Sequence, residues 1–458
     1  MVKRAHPSGL GPSGSVLLGF ESEAAGRTDI SGSRMQKRPV WRDGEGHLLT
    51  IAPTGAGKGT GCIIPALLTW DGPAIVIDPK GENYAVTADR RRKLGQRVAV
   101  LDPFDVTLAE RKDAINPFDI VADRNHLAAD DAAVIARLAV QGLALPRDPF
   151  WDERAETLIA GLILHVSQGG RADRRNLAEV RRLIELPDKQ QDKLAAELRQ
   201  PGDPDRAAAA SILEIQASNT RAGILSTAAS QLSFLRGPPV HESIAQSSIR
   251  LDDVVRGRPQ TIYLVVPPDR LVSHGKLLRL WLGTLMTVLA RRRRIPEKPT
   301  LLIVDEAAQL GPMDELRAAI TLMRGYGVKV WSFWQDVSQL VRTYPVDWQS
   351  FLNNASAVQL FGAGNGQMLV ELDGYLGYHG RSILEEMTPE DALIIERGQR
   401  PRILVRPNYL DDRELSGLAK ANPFYRGRRI TRKPREAAPA SGANVITFPR
   451  ARSTSSRD

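Results

Sequence analysis

The chain has 458 residues and a single cysteine, Cys62. One cysteine excludes an internal disulfide framework and a cysteine-based zinc site. Cys62 itself reads as a small buried hydrophobe on a helix that follows a glycine-rich loop. Long apolar runs are also missing. The longest candidate, "LLRLWLGTLMTVLA" (Leu277–Ala290), contains Arg279 and falls short of the roughly 18 residues a membrane-spanning helix needs. It reads as a buried core helix. The opening "MVKRAHPSGLGPSGSVLLGFES" lacks the sustained apolar core of a signal peptide. The chain is therefore expected to be soluble, or held at a membrane only through a partner. A basic body is absent too. The net charge is +9, but the stretch from Phe424 to Asp458 holds nine Arg/Lys against two Asp/Glu and so supplies +7 of it. Nucleic acid, if it binds, must use local patches, the tail, or a ring that concentrates charge in a pore.

What is present is a strand–helix rhythm broken once. Residues 1–45 are rich in Gly, Ser and charge and read as a loosely structured lead-in. "HLLTIA" (His47–Ala52) reads as a short buried strand, and with the apolar runs Ala74–Ile77 and Val98–Leu101, separated by helical stretches, it gives the pattern of a parallel sheet buried on both faces. Between residues 125 and 246 the chain turns Ala-, Leu-, Arg- and Glu-rich, with apolar residues at helical spacing, and reads as an all-helical domain. The strand rhythm returns in "TIYLVVP" (Thr261–Pro267), "TLLIVDE", "VKVWSFWQD", "SAVQLFG" and "RILVR" (Arg402–Arg406). The expected organisation is a nucleotide-binding domain in two parts, 46–124 and 247–425, around the all-α domain at 125–246. Residues 426–458 read as a disordered basic tail.

The chemistry concentrates at four places. "APTGAGKGTG" follows the first buried strand and opens a helix. Thr54, Gly55, Ala56, Gly57, Lys58, Gly59 and Thr60 fit a loop whose backbone N–H groups cradle phosphate, with Lys58 reaching the outer phosphates. The usual pattern, G-x-x-x-x-G-K-[ST], is altered twice: Ala52 replaces the first glycine, and Gly59 stands where a Mg²⁺-binding hydroxyl is expected. Only Thr60 offers a hydroxyl, so Mg²⁺ is expected to lean on phosphates, water and Asp305, with Thr60 contacting phosphate or taking over the metal. The second place is "LLIVDEAAQLG", where a buried strand ends in Asp305 and Glu306, a metal-holding acid followed by one able to polarise the attacking water. The third is Gln335, after the next strand, positioned to sense a phosphate or orient water; a polar helix cap is the plainer reading. The fourth is Arg324 in "LMRGYG", either a finger reaching a neighbouring subunit's nucleotide or compensation of a helix dipole. Arg397, Arg400 and Arg402 are rival fingers. Asp78, Lys80, Glu82 and Asp102 lie at expected strand ends and either line the site or are ordinary loop residues. The aromatic stretch "WQDVSQLVRTYPVDWQSF" reads as core and interface packing in preference to a stacking platform for single strands.

Taken together, "APTGAGKGTG", "AIVIDPKGENY", "VAVLDPF", "NPFD", "DPFWDERAETLIAGLILHV", "LLIVDEAAQLG" and "RGYGVKVWSFWQDVSQL" resemble the type IV secretion coupling-protein ATPases, the TraG/TraD-like group. The likeness runs from about Leu48 to Gln339 and more weakly to about Pro407. It implies an α/β, RecA-like P-loop domain with a mainly parallel sheet, interrupted by an all-helical domain that recognises substrate. It implies ATP and Mg²⁺ as cofactors, Lys58, Asp305, Glu306 and Gln335 as the nucleotide machinery, and Arg324 as the finger acting in trans. The implied partners are DNA, a relaxase–DNA complex or protein effectors, type IV secretion components at the inner membrane, and further copies of the chain in a homo-hexamer. The G-K-G form of the loop also recurs in that group. Its typical members carry transmembrane helices before the nucleotide domain. This chain has no such segment, so a separate membrane partner is the expected anchor and truncation to the soluble part the alternative. The expected location is the cytoplasm, peripheral to the inner membrane through that partner. Two other functions compete: a soluble DNA-pumping ring of the FtsK/HerA type, and a non-hydrolysing adaptor that binds nucleotide only to recruit substrate.

Overall fold

The structure is a computed structural model; it describes residues 11–21, 38–121, 126–140, 148–169, 171–199, 202–362 and 387–425. The expected tail at 426–458 lies outside the described residues.

The centre of the protein is an 11-stranded sheet. Its strands are β1 (Val16–Glu21), β2 (Arg38–Arg42), β3 (His47–Ile51), β4 (Ala74–Ile77), β5 (Arg97–Leu101), β6 (Gln260–Leu264), β7 (Thr300–Val304), β8 (Val328–Trp334), β9 (Ala355–Leu360), β10 (Asp391–Glu396) and β11 (Arg402–Val405). They lie in the order β2-β1-β11-β10-β9-β3-β8-β7-β4-β6-β5. From β9 to β5 all pairings are parallel. From β9 outward to β2 they are antiparallel. The apolar runs became parallel strands: β3, β4, β6 and β7 are buried at every position, while Val98–Leu101 lies in β5 at the sheet edge. Alternate residues feed two cores, so Trp331 and Phe333 of β8 pack on one face and Val330 and Trp334 on the other.

The segment expected to be a loose lead-in contributes β1 and β2, which extend the sheet beyond β11. Its charge and glycine content hid the short apolar run Val16–Leu18, which is buried. β2 is the edge strand, half-exposed along its length, and β1 offers only that short buried run, so the pattern is short and weak.

Helices cover both faces. A turn of π-helix at Gly59–Ile63 leads into α1 (Ile64–Thr69), and α2 (Glu82–Lys93) follows β4. The Ile64 N–H bonds to the Gly59 carbonyl five residues back. Pro65 has no N–H to continue a regular ladder, which suits a wider turn here. All elements described between Ala128 and Ala245 are helical: α3 (Ala128–Val140), α4 (Pro149–Gln168), α5 (Leu177–Ile184), α6 (Asp188–Leu198), α7 (Pro204–Leu213), α8 (Ser218–Gln231) and α9 (Pro238–Ala245), with one short 3₁₀ turn. Helix α4 is their axis, packed on α3, α7 and α8. Gly161 lets α7 approach closely; a Cβ there would lie 2.4 Å from that of Ala209. The chain re-enters the sheet through α10 (Leu251–Val255), and α11 (Leu271–Ala290), α12 (Asp314–Leu322), α13 (Val337–Thr343) and α14 (Gln349–Asn354) complete the α/β part. The two connections to the helical part are tied to each other: Ser248 N–H donates to Ala114 O at 3.0 Å, and Asn116 Nδ2 donates to Ala245 O at 3.0 Å and Arg175 O at 2.7 Å.

Among the described residues no helix is long and apolar enough to cross a membrane. Helix α11 contains the apolar run noted above, and its Arg279 is fully buried, with Nη1 donating to the carbonyls of Leu310 and Pro312.

Candidate functional site

The parallel strands β3, β4, β7 and β8 end at one edge of the sheet, and the turns after them form a cavity of about 390 Å³. Thr54, Gly55, Gly57, Lys58, Gly59 and Thr60 line it from the loop after β3. Asp78, Lys80, Glu82 and Asn83 line it after β4, Asp305, Glu306 and Gln309 after β7, and Gln335 after β8. Residues as far apart as Thr54 and Gln335 meet here because parallel connections return each strand to the same edge.

Gly55 and Gly57 sit at φ +80° and +92°, conformations that favour glycine. The Lys58 ammonium donates to Ala52 O at 2.9 Å and stands 3.7 Å from Glu306 Oε1. Glu306 Oε2 accepts from Gln335 Nε2 at 2.7 Å. Gln335 thus bears on Glu306 directly, and the lysine, the carboxylate and the amide form a chain across the cavity. Glu306 adopts a left-handed backbone, φ 52° and ψ 50°. A non-glycine residue held there stores about 1–2 kcal/mol, a cost found mostly where geometry serves function. Asp305 is pushed up to about 7, first by burial and next by the adjacent Glu306 carboxylate, with Lys58 acting against the rise. Burial also raises Asp78 to about 7; its oxygens accept from the Asn83 and Tyr84 N–H groups at 3.2 and 2.8 Å. Two raised carboxylates lining one cavity, each within reach of another acid, make a site that attracts a cation or a proton.

Thr60 Oγ1 donates to Gly57 O at 3.3 Å, turned onto its own loop; it must rotate to meet a metal or phosphate. A Cβ on Gly59 would meet nothing within 4 Å. Space therefore does not force glycine at this position, and the missing hydroxyl is a chemical difference. Among the described residues no cluster of three or more His, Cys, Asp or Glu side chains is arranged to hold a metal. The donor set still suits Mg²⁺ bound chiefly through phosphate oxygens and water, with one or two protein ligands.

The remaining candidates lie elsewhere. Ala56 does not line the cavity, but its carbonyl is held by Arg406 Nη1 at 2.6 Å. Asp102 accepts from Val106 N, Thr107 N and Thr107 Oγ1, organising its own turn. Arg402 is paired with Glu21 and Glu396, while Arg397 and Arg400 are exposed. Arg324 is exposed on the turn before β8, at the amino end of that strand. The cavity lies at the carboxyl end, and seven strand residues at about 3.3 Å each put roughly 20 Å between them. Arg324 therefore faces away from its own pocket. The aromatic stretch after Gln335 packs inward: Trp334, Tyr344 and Phe351 are buried in mutual contact, with Tyr344 and Phe351 centroids 4.5 Å apart.

Arg406 was not legible as a site residue. It stacks its guanidinium 4.2 Å from the Phe361 ring centroid and fastens the phosphate loop from behind. Tyr425 and Leu271, which also line the cavity, come from segments whose sequence carries no motif. A larger cavity of about 780 Å³ lies at the neck of the helical part, lined by residues such as Asn116, Ser167 and Gln246. It lacks the lysine, the paired acids and the glycine loop, so the smaller cavity is the candidate site.

A strand, a glycine-rich loop and a helix, with paired acids ending a neighbouring parallel strand, define a RecA-like P-loop α/β protein. The sequence profile of the family described as "Type IV secretory system Conjugative DNA transfer" matches residues 22–378, and the chain belongs to that family. Among relatives, it is 26% identical over 315 residues to the conjugal transfer protein TraG of Escherichia coli, covering 65% of this chain and 49% of that one. It is 29% identical over 401 residues to the protein VirD4 of Rhizobium radiobacter, covering 84% and 56%. The chain thus spans about half the length of the curated relatives it matches. Among solved structures, the plasmid coupling protein TrwB in complex with ADP and Mg²⁺ superposes with a TM-score of 0.62 at 16% identity, covering 87% of this chain and 95% of that one. VirB4 of Thermoanaerobacter pseudethanolicus gives 0.54 at 16% identity, covering 90% and 98%. At such identities the likeness shows the fold.

Proposed function

We propose that the chain is a Mg²⁺- and ATP-dependent coupling ATPase. In this reading it recruits DNA, a nucleoprotein or a protein effector and drives it into a type IV secretion or conjugation channel, acting in the cytoplasm at the inner membrane through a partner. The observation that carries the reading is the chain Lys58–Glu306–Gln335 across a glycine-loop cavity, with Asp305 beside it. Membership of the conjugative DNA transfer family and the nucleotide bound in TrwB support the same assignment.

The residues divide the work by chemistry. The loop N–H groups and the positive helix end receive phosphates, and Lys58 leaves the Glu306 carboxylate for a phosphate oxygen. Asp305 and Thr60 would hold Mg²⁺, which supplies charge neutralisation at the phosphates. Glu306, released from Lys58 and oriented by Gln335, takes the proton of the attacking water. Arg324, pointing away from its own pocket, serves a neighbouring copy in a hexameric ring. The helical part between residues 125 and 246 receives the substrate.

The test is ATP hydrolysis with and without single-stranded DNA, over a range of protein concentrations. The reading expects turnover that rises with concentration and disappears in Lys58→Ala. Tight ATP binding without turnover under any of these conditions would instead favour the recruitment adaptor, and turnover without binding to a relaxase or membrane assembly would favour a free DNA-pumping ring.

A further inference from the structure

We propose that Tyr425 is the base-binding surface of the cavity, stacking its ring on the nucleobase of a bound nucleoside triphosphate. The inference rests on the nucleotide reading above and names the part of the ligand that the phosphate loop cannot recognise.

Tyr425 is the one aromatic ring lining the cavity among the described residues. It arrives there by a strap built for the purpose of holding it against the loop and α2. Tyr409 N–H donates to Thr60 O at 3.3 Å, fixing the strap to the carboxyl end of the phosphate loop. Asn422, itself buried, donates to Tyr409 Oη at 2.7 Å and to Glu82 Oε1 at 2.6 Å. Lys420 N–H bonds to Val86 O at 3.0 Å, and Lys420 Nζ pairs with Asp89 at 2.5 Å. The 3₁₀ turn Pro423–Tyr425 then closes on Asn422, whose Oδ1 accepts from Phe424 N and whose carbonyl accepts from Tyr425 N. Every one of these bonds lies on the Thr60–Glu82 side of the cavity.

That side has a meaning. Lys58, Glu306 and Gln335 mark where the outermost phosphate is handled, so the ribose and base extend away from them. Thr60, two residues beyond Lys58, lies toward the inner phosphate, and the strap is bound to Thr60 itself. A flat, half-buried ring at that end gives the base an apolar surface to rest on. The two carboxylates there are already engaged: Glu82 by Asn422, and Asp78 by two N–H groups. Stacking is the recognition the ring offers, and it tolerates any base because every base has a π-face. The site should separate nucleotides from bare polyphosphate while discriminating weakly between ATP and GTP.

The experiment compares the full chain with Tyr425→Ala and Tyr425→Phe, measuring dissociation constants for ATP, GTP and inorganic tripolyphosphate by calorimetry at fixed Mg²⁺. The expected result is that Tyr425→Ala weakens ATP and GTP alike by about tenfold and tripolyphosphate by less than about twofold, while Tyr425→Phe stays near the parent chain. Unchanged ATP affinity in Tyr425→Ala overturns the proposal. Equal losses for ATP and tripolyphosphate, or failure of Tyr425→Phe to retain affinity, also overturn it, since both describe a strap that merely supports the loop. If the parent chain binds tripolyphosphate but no better with a base attached, the base site is absent while the phosphate loop stands. If the parent chain binds neither, the nucleotide reading falls and this inference falls with it.

Discussion

At their carboxyl ends the parallel strands hold Lys58, Asp78, Asp305, Glu306 and Gln335; at their amino ends the same strands hold His47, Lys329 and, one turn ahead of β8, Arg324. The two ends solve different problems with the same kinds of side chain. At the amino end burial wins. His47 is lowered to about 4, first by burial and then by Arg324 and Lys329, and its Nδ1 accepts from Val330 N–H at 3.1 Å. Arg292 there donates to the carbonyls of Val254, Val255, Tyr326 and Gly327 and to Thr300 Oγ1. Its charge is spent on joining α10, α11 and β8. At the carboxyl end Asp305, Glu306 and Gln335 are half-buried beside the buried Lys58 and Asp78, with two carboxylates raised into the neutral range and Glu306 in a strained backbone. The amino-end groups are quieted by burial, whereas the acids at the carboxyl end stand close enough to raise one another.

The sharpest way to break that contrast is Glu306→Gln. It keeps the shape and the Gln335 contact but cannot take a proton, so steady-state turnover should fall by about 10²–10⁴-fold while nucleotide binding persists. Next in size is Arg324→Ala, the one amino-end residue assigned to chemistry. Its turnover should fall by about 10³-fold, as for other trans-acting arginines, with folding unchanged. Mixing it with Lys58→Ala should restore part of the activity; no recovery in mixtures shown to assemble would return Arg324 to a surface role. A third change acts on stability alone. Arg292→Ala removes five hydrogen bonds that join α10, α11 and β8, and chemical denaturation should show a loss of about 3 kcal/mol with nucleotide affinity per folded molecule unchanged. The smallest effect is Asp305→Asn read against pH. Because Asp305 is raised from 3.8 to about 7, its favourable contribution is complete below about 4 and is lost as pH rises through about 7. The variant should therefore gain stability on the nucleotide-free parent chain between pH 5 and pH 8, by about 1–3 kcal/mol after allowance for partial exposure. A melting-temperature difference that stays flat across that range would contradict the raised carboxyl.

The contrast also explains what could be read without coordinates. The central strands were legible because a strand buried on both faces must be apolar at every position, as Ala74–Ile77 and Leu301–Val304 are. The loop and the paired acids were legible because their residue types are tied to local backbone: glycine for positive φ, acids at a strand end. β1, β2 and β10 were not: β2 is a half-exposed edge strand, and the buried runs Val16–Leu18 and Ala392–Ile394 are short and flanked by charged or glycine-rich sequence. Arg406 and Tyr425 were not legible either. Nothing near them in sequence encodes a site, and their roles exist only because β11 and the strap bring them to the phosphate loop.

The sequence by itself determined the class of fold, the phosphate loop and the acids opposite it, because each depends on neighbours a few residues away. The tertiary structure alone decided which charges are quieted and which stay poised. It set Gln335 on Glu306, left Gly59 in open space, turned Arg324 away from its own pocket and carried Tyr425 to the cavity. Those are matters of burial and approach between distant segments, and only the packed sheet with its returning connections specifies them.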